Sequence, residues 1–410
     1  MANASIHTHS SLARLAREET KRQSRTINLI ASENYASPAV LKALATPLAN
    51  KYSEGYPQKR YYPGNELVDA IEERTQALAK KVFSLGNEWS VNVQPYSGSP
   101  ANAEVYFALM NFGDTLMGMS LASGGHLTHG HPITFSGRAY KTVQYGVSKD
   151  GTIDFNEVLK LARKFRPKVI MSGYSAYPRT VDFKKFGRIA RLVSAYHVAD
   201  ISHIAGLVAA RFHPSPFLYA DVVVTTTHKT LRGPRGAVIF SKNELSARID
   251  RAVFPGFQGG PHNNVTLAKA VAFEEALSKG FVSYQKQIVK NASVLASALL
   301  KNGFTLVSGG TDTHLLLVDL RSAGMDGKTV EGILEEGGIT ANRNSIPGDI
   351  KPLYPSGLRL GTPAVTTRGM KEREMRMIAG WIRDLVLQGR NPREVKKEAE
   401  KLCKKFPLLY

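Results

Sequence analysis

Lys229 closes the run Val223-Val-Thr-Thr-Thr-His-Lys229 and precedes a turn rich in Gly, Pro and Arg. A lysine at the rim of a sheet can act as a Schiff-base nucleophile when desolvation and cationic neighbours lower its pKa and free the amine. Arg232 and Arg235 lie near it in sequence. Upstream, His197-Val-Ala-Asp-Ile-Ser-His203 ends an apolar run on the carboxylate of Asp200. An anion there can keep a heteroaromatic ring nitrogen protonated, which makes the ring an electron sink. The segment Ser97-Gly-Ser-Pro-Ala-Asn102 opens a helix, with Ser99 as the N-cap candidate and Pro100 at the first helical position. Free N–H groups, the helix dipole and hydroxyls make such a start a phosphate cradle. Arg359, flanked by apolar residues in Ser356-Gly-Leu-Arg-Leu-Gly361, is costly to bury unless its fork grips an anion, typically a carboxylate.

Each feature also has a plain reading. A lone lysine at a strand end is usually a solvated surface residue, Asp200 could cap a helix, and Arg359 could point to solvent from an edge strand. Many helices begin like Ser97–Asn102. The histidines of Gly124-Gly-His-Leu-Thr-His-Gly130, with His131 beyond, have a spacing that suggests metal. No Cys or carboxylate of matching spacing accompanies them, so an imidazole stacked on a cofactor ring is the better reading of the motif. In company the features make sense together: Schiff-base lysine, ring-nitrogen carboxylate, phosphate cradle and carboxylate clamp are what a pyridoxal 5′-phosphate site requires.

These side chains need a scaffold. Helical stripes at 67–83 and 154–166 alternate with apolar runs of strand length: Leu116–Leu121, Lys168–Ser172, Tyr196–Ile201, Asp221–Thr227 and Gly236–Phe240. Runs apolar on both faces, separated by helices, predict a buried, largely parallel sheet and an α/β fold. Near residue 280 the rhythm changes. A long helix at Tyr284–Lys301, strands at His314–Leu320 and Gly357–Thr362, and a closing pair of helices predict a smaller α+β domain. The expected division is an N-terminal arm, 1–25, a large domain, 26–280, and a small C-terminal domain, 281–410.

Composition narrows the setting. The 410 residues are 43% hydrophobic and can bury two cores, and the single Cys403 excludes an internal disulfide framework and suits a reducing compartment. The start, Met-Ala-Asn-Ala-Ser, lacks the pattern of a signal peptide, and no run is long and apolar enough to span a membrane, so cytoplasm is expected. Lys and Arg exceed Asp and Glu by 54 to 34, a net charge of +20 that attracts anions. The basic residues are scattered or interleaved with Glu, as in Glu394–Lys401, which does not point to specific nucleic-acid binding.

The combination resembles serine hydroxymethyltransferase from about residue 26 to the end. The resemblance is carried by Asn28-Leu-Ile-Ala-Ser-Glu-Asn34, Lys51-Tyr-Ser-Glu-Gly-Tyr-Pro57, Lys59-Arg-Tyr-Tyr62, Gly124–Gly130, Ser175-Ala-Tyr-Pro-Arg179, Thr225–Gly236, Phe254-Pro-Gly-Phe-Gln-Gly-Gly-Pro261 and Arg359–Thr366. It implies the aspartate-aminotransferase-like fold, type I of the pyridoxal-phosphate transferases, and a homodimer with active sites shared across the interface, a tetramer remaining open. It further implies that Lys229 holds pyridoxal phosphate as an aldimine, Asp200 pairs with the ring nitrogen and His126 stacks on the ring. Ser175 and His203 would approach the phenolic oxygen. Ser97, Gly98 and Ser99 would bind phosphate, joined by Gly260 and Tyr52 of a second subunit. Ser32, His203 and Arg359 would receive the amino-acid carboxylate. Thr226 and His228 would tune exchange at the lysine. Glu54, also from a second subunit, would be the acid/base group, and Tyr62 would shape the same pocket. Leu121, Gly125, Leu127 and Asn344 match residues that contact folate.

The implied reaction interconverts serine plus tetrahydrofolate with glycine plus 5,10-methylene-tetrahydrofolate, through a quinonoid. Three departures from the family pattern stand out: Lys351-Pro-Leu-Tyr-Pro355 in a loop that contacts folate, Ser202 where the residue beneath the ring is generally Ala, and Val224 in the threonine run. A rival reading is a folate-independent pyridoxal-phosphate aldolase cleaving threonine or other β-hydroxy amino acids, supported by the altered loop.

Overall fold

A computed structural model describes residues 11–349 and 354–410. Its central sheet has seven strands in the order Trp89–Asn92, Ala237–Lys242, Val222–Thr226, Tyr196–Asp200, Val169–Gly173, Thr115–Met119, Lys141–Tyr145. Only Ala237–Lys242 runs against its neighbours; the others pair in parallel or lie parallel to them through it. The sheet is therefore mixed but mostly parallel.

Strand composition explains its burial. Val222–Thr226 and Val169–Gly173 are buried at every position. Successive side chains go to opposite faces. Met117, Ile170 and Val223 join one core with Phe183, Phe186 and Val158, whereas Leu116, Val169, Met171, Val222 and Val224 join another with Val105, Leu109 and Ile249. Helices thus cover both faces, as a parallel sheet demands. Val224, the departure in the threonine run, is one of these fully buried sheet positions.

The expected strands are present with ends shifted by one or two residues, except that the first stops at Met119 and Leu121–Ser123 forms a 3-10 turn. The helices form as Glu66–Val82 and Phe155–Phe165, the second capped by Asp154. Two strands of the central sheet escaped the sequence reading, Trp89–Asn92 and Lys141–Tyr145; both are edge strands with mixed burial and carry no continuous apolar run.

A second, antiparallel sheet follows in the order Thr305–Leu306, Leu315–Asp319, Gly357–Gly361, Asn342–Asn344. The long helix before it begins at Lys279 rather than Tyr284, because Ser278 caps it by accepting from the Phe281 N–H. Leu316, Val318, Leu358 and Leu360 pack in a core with Ile378, Ile382 and Val395 of the closing helices, Glu372–Val386 and Pro392–Lys405. Ile27 and Leu29 enter this same core. Arg359 alternates with Leu358 and Leu360, so the pleat sends it to the other face, where its register partner Leu317 packs with Ala176. No helix among the described residues is long and apolar enough to cross a membrane.

Candidate active site

The carboxyl ends of the central strands, where open α/β sheets bind ligands, surround a cavity of about 280 Å³. Ten expected residues line it: Ser32, Ser97, Gly98, Ser99, His126, Asp200, His203, Thr226, His228 and Lys229. Glu33, Asn102, Tyr174, Ser202 and Arg235 complete the wall.

Lys229 follows the Val222–Thr226 strand and is buried. Burial lowers its pKa from 10.5 to about 8; Asp200 opposes that shift, and Arg359 and Arg235 add to it. Of the two arginines near it in sequence, only Arg235 lines the cavity. Arg232 turns away, its guanidinium 4.9 Å from the Tyr284 ring centre and 3.7 Å from the Glu275 carboxylate.

Asp200 ends its strand with both carboxylate oxygens accepting hydrogen bonds. Burial by itself would raise its pKa, but donors from His129 Nε2 at 3.2 Å, Asn102 Nδ2 at 3.0 Å and the Ser202 N–H at 3.0 Å outweigh it. The carboxyl therefore titrates well below the usual carboxylate range and stays ionised. Gly173, at the end of the adjacent strand, has φ +120°, and a side chain there would meet the Asp200 carbonyl at 2.1 Å. The Ser202 hydroxyl accepts from the Thr226 N–H at 3.0 Å, so backbone satisfies the polar group at this departure from the family pattern.

The helix expected to start at Pro100 spans Gly98–Leu109, which corrects the capping assignment. Ser97 is the N-cap, extended and without a side-chain capping bond, and Ser99 and Pro100 lie inside the first turn. Its hydroxyl and the first N–H groups are thus left for a ligand, the situation that favours anions. A Cβ on Gly98 would sit 2.7 Å from Thr226 Cγ2, so only glycine lets the cradle approach this strand end.

The imidazoles in the wall are neutral. Burial lowers the pKa of His126 to about 4 and of His228 to about 3, and that of His203 well below its ordinary value. Ser175 and Arg359 meet beside the cavity. Arg359 Nη1 donates to the Ser175 carbonyl at 2.7 Å and Oγ at 3.1 Å, Nη2 reaches Ser32 Oγ at 3.5 Å, and Nε donates to Asn342 Oδ1 at 3.1 Å. None of the ion pairs among the described residues includes Arg359, although it is buried. A buried, unpaired guanidinium held by neutral groups is a receptor for a carboxylate.

Other expected residues gather elsewhere. Tyr52, Glu54, Tyr62 and Gly260 form a separate group outside the cavity wall: the Tyr52 and Tyr62 rings meet edge-on at 5.0 Å, and a Cβ on Gly260 would touch the Tyr52 ring at 3.3 Å. Tyr52 and Tyr62 are both exposed. Leu121 and Leu127, also exposed, flank Gly125, whose N–H donates to the Ser120 carbonyl. Asn344 lies in the outer strand of the second sheet, with Nδ2 donating to the Ser345 carbonyl at 2.6 Å. Of the altered loop, residues 351–353 lie outside the described residues.

The sequence reading missed the groups that hold these side chains in place: His129 and Asn102 on Asp200, and Asn342 on Arg359. His129 carried the only signal, as the second histidine of the Gly124–Gly130 motif.

The donor set suits pyridoxal phosphate: an amine that is partly neutral near pH 8, an anion fixed in the same cavity wall, and a helix start with free N–H groups. The chain matches the family described as Serine hydroxymethyltransferase over residues 7–382. It is also 53% identical over 411 residues to a serine hydroxymethyltransferase of Acidothermus cellulolyticus, covering 98% of this chain and 96% of that protein.

Proposed function

The chain belongs to the serine hydroxymethyltransferase family, and from that premise we propose that its Lys229 cavity holds pyridoxal 5′-phosphate and transfers the hydroxymethyl carbon of serine to tetrahydrofolate. The observation that carries the assignment is the convergence of Lys229, Asp200 and the Ser97–Ser99 helix start on one cavity. Bound there, pyridoxal phosphate supplies an electron sink for bonds at the amino-acid Cα.

The chain's own residues then have distinct tasks. Lys229, with its pKa lowered to about 8, offers a far larger neutral fraction than an exposed lysine and can attack a carbonyl. Asp200 stays ionised and holds a proton on the ring nitrogen. Ser97, Gly98 and Ser99 would hold the phosphate, and His126 would contact the ring. Arg359, aided by Ser32 and His203, would orient the substrate carboxylate; Ser175 fixes Arg359 and would approach the phenolic oxygen. Thr226 and His228 flank the lysine and bias the exchange of amines.

We assign Tyr52, Glu54, Tyr62 and Gly260 to the site of a second copy. The exposure of Tyr52 and Tyr62, and the absence of all four from this chain's own cavity wall, support that reading. Glu54 would then move a proton at the hydroxymethyl carbon. Leu121, Gly125, Leu127 and Asn344 would contact the folate; the two exposed leucines suit a flat ring.

The test is glycine formation from serine with and without tetrahydrofolate, on a protein whose absorbance shows bound pyridoxal phosphate. The reading expects strong dependence on tetrahydrofolate. Equal rates would overturn the transferase assignment, and a protein that takes up no pyridoxal phosphate would overturn the site.

A further inference from the structure

The Gly98–Leu109 helix does more than open the phosphate cradle. One turn in, the buried Asn102 gives its two amide N–H groups to two acceptors, Asp200 Oδ2 at 3.0 Å and Thr128 Oγ1 at 2.9 Å. Asp200 is ionised and can only accept, which fixes the NH₂ end of the amide on that side. Another turn along, the Tyr106 hydroxyl donates to the Thr128 carbonyl at 2.8 Å. Thr128 is therefore held at backbone and side chain by residues four apart on one helix.

Thr128 in turn faces His126, two residues back in the chain. Its hydroxyl oxygen accepts from Asn102, so its own proton is left for the remaining neighbour, His126 Nδ1 at 2.7 Å. The Thr128 backbone N–H donates to the same nitrogen at 3.2 Å. Two donors aimed at Nδ1 leave no place for a proton there. His126 accordingly carries its proton on Nε2 and is neutral. Burial, then His129, act in the same direction, as do Lys229 and Arg359; only Asp200 opposes them.

The neighbouring imidazole obeys the same rule. His129 Nδ1 accepts from the His126 N–H at 3.4 Å, so the His129 proton sits on Nε2, where it meets Asp200 Oδ2 at 3.2 Å. The Asp200 carboxylate and the His126 ring are thus the two ends of one bonded chain through Asn102 and Thr128, and the ionised carboxylate sets the direction of each bond in it.

We propose that Thr128 is a positioning residue: it holds His126 in the neutral Nε2–H form and, through Asn102, ties that ring to the Asp200 carboxylate. This rests on the reading that gives the cofactor's ring nitrogen to Asp200 and its face to His126. A neutral imidazole meets a protonated ring without a second positive charge beside it, and the bonded chain sets the two groups that grip the ring relative to each other.

The experiment combines ¹⁵N-imidazole spectra and steady-state kinetics of the full-length enzyme, with the His126 signals assigned by their loss in His126→Asn. It compares wild type with Thr128→Val, which keeps the shape without a hydroxyl, and Thr128→Ser, which keeps the hydroxyl. The expected result in wild type and Thr128→Ser is a protonated His126 Nε2, with Nδ1 a hydrogen-bonded acceptor. In Thr128→Val the Nδ1 signal should shift toward that of a free lone pair. Its kcat for serine should fall about ten-fold, with bound cofactor and thermal stability little changed. A proton on Nδ1 in wild type overturns the inference and needs no variant to fold. So does a Thr128→Val enzyme with the His126 signals or kcat unchanged, and so does an equal loss in Thr128→Ser and Thr128→Val, which would mark packing alone. Failure of the cavity reading shows separately, as a wild type that takes up no pyridoxal phosphate; that removes the role toward the ring whatever the tautomer.

Discussion

Arg359 donates to the carbonyl oxygen of Ser175 at 2.7 Å, joining the second sheet to the loop that follows a central strand. The bond fixes the guanidinium beside the Lys229 cavity with no carboxylate of its own. Arg359→Lys removes the fork and leaves these acceptors short of donors. The expected outcome is a rise in KM for serine of roughly 10- to 100-fold with bound cofactor unchanged, measured by steady-state kinetics and absorbance.

Asp200→Asn keeps the shape at the strand end but removes the charge. The His129 and Ser202 donors would then face a neutral amide, and nothing would hold a ring proton. Turnover of serine should fall by roughly 100-fold or more, while pyridoxal phosphate still binds through the helix start. Measured kcat alongside cofactor content separates the two effects.

The lowered pKa of Lys229 makes a pH prediction. In the cofactor-free protein, capture of pyridoxal phosphate needs the neutral amine, so its rate should rise with pH and level off above about 8, well short of the ordinary 10.5. Stability follows with a definite sign. The folded lysine binds its proton more weakly than the unfolded one, so the penalty for burying it is fully present below about 8 and fades as pH rises to 10.5. Lys229→Met should therefore stabilise the cofactor-free protein at pH 7 and lose that advantage above pH 10, as chemical denaturation would show.

Sharing of sites between two copies is testable by mixing. Glu54→Gln and Lys229→Met should each be nearly inactive. Refolded together at equal amounts, they should regain about a quarter of wild-type sites, since a mixed dimer holds one intact site. If Glu54 served its own chain's Lys229, the mixture would stay inactive.

Lys269 bears on stability rather than chemistry. Its buried amine donates to the carbonyls of Val93 at 2.6 Å, Pro95 at 3.1 Å and Ala237 at 2.9 Å, tying the segment before the phosphate cradle to the sheet. Lys269→Met removes a donor from each of these three buried carbonyls and should cost on the order of 3 kcal/mol in unfolding free energy, read from denaturant titration.

The sequence by itself determined the chemistry-bearing residues and the α/β class. Lys229, Asp200 and the Ser97–Ser99 turn stand at element ends and Arg359 interrupts an apolar strand, and the apolar runs and helices that present them have local periodicities. The edge strands lacked such a period and went unseen. Only the tertiary structure decided what holds the site together: His129 and Asn102 on Asp200, and Asn342 and Ser175 on Arg359. These are polar groups brought from other segments of the chain, and a polar side chain inside an apolar run leaves no local mark of the partner it will meet. It also moved the cap from Ser99 to Ser97, because the helix begins where the backbone turns, and that turn is set by the close approach of Gly98 to Thr226.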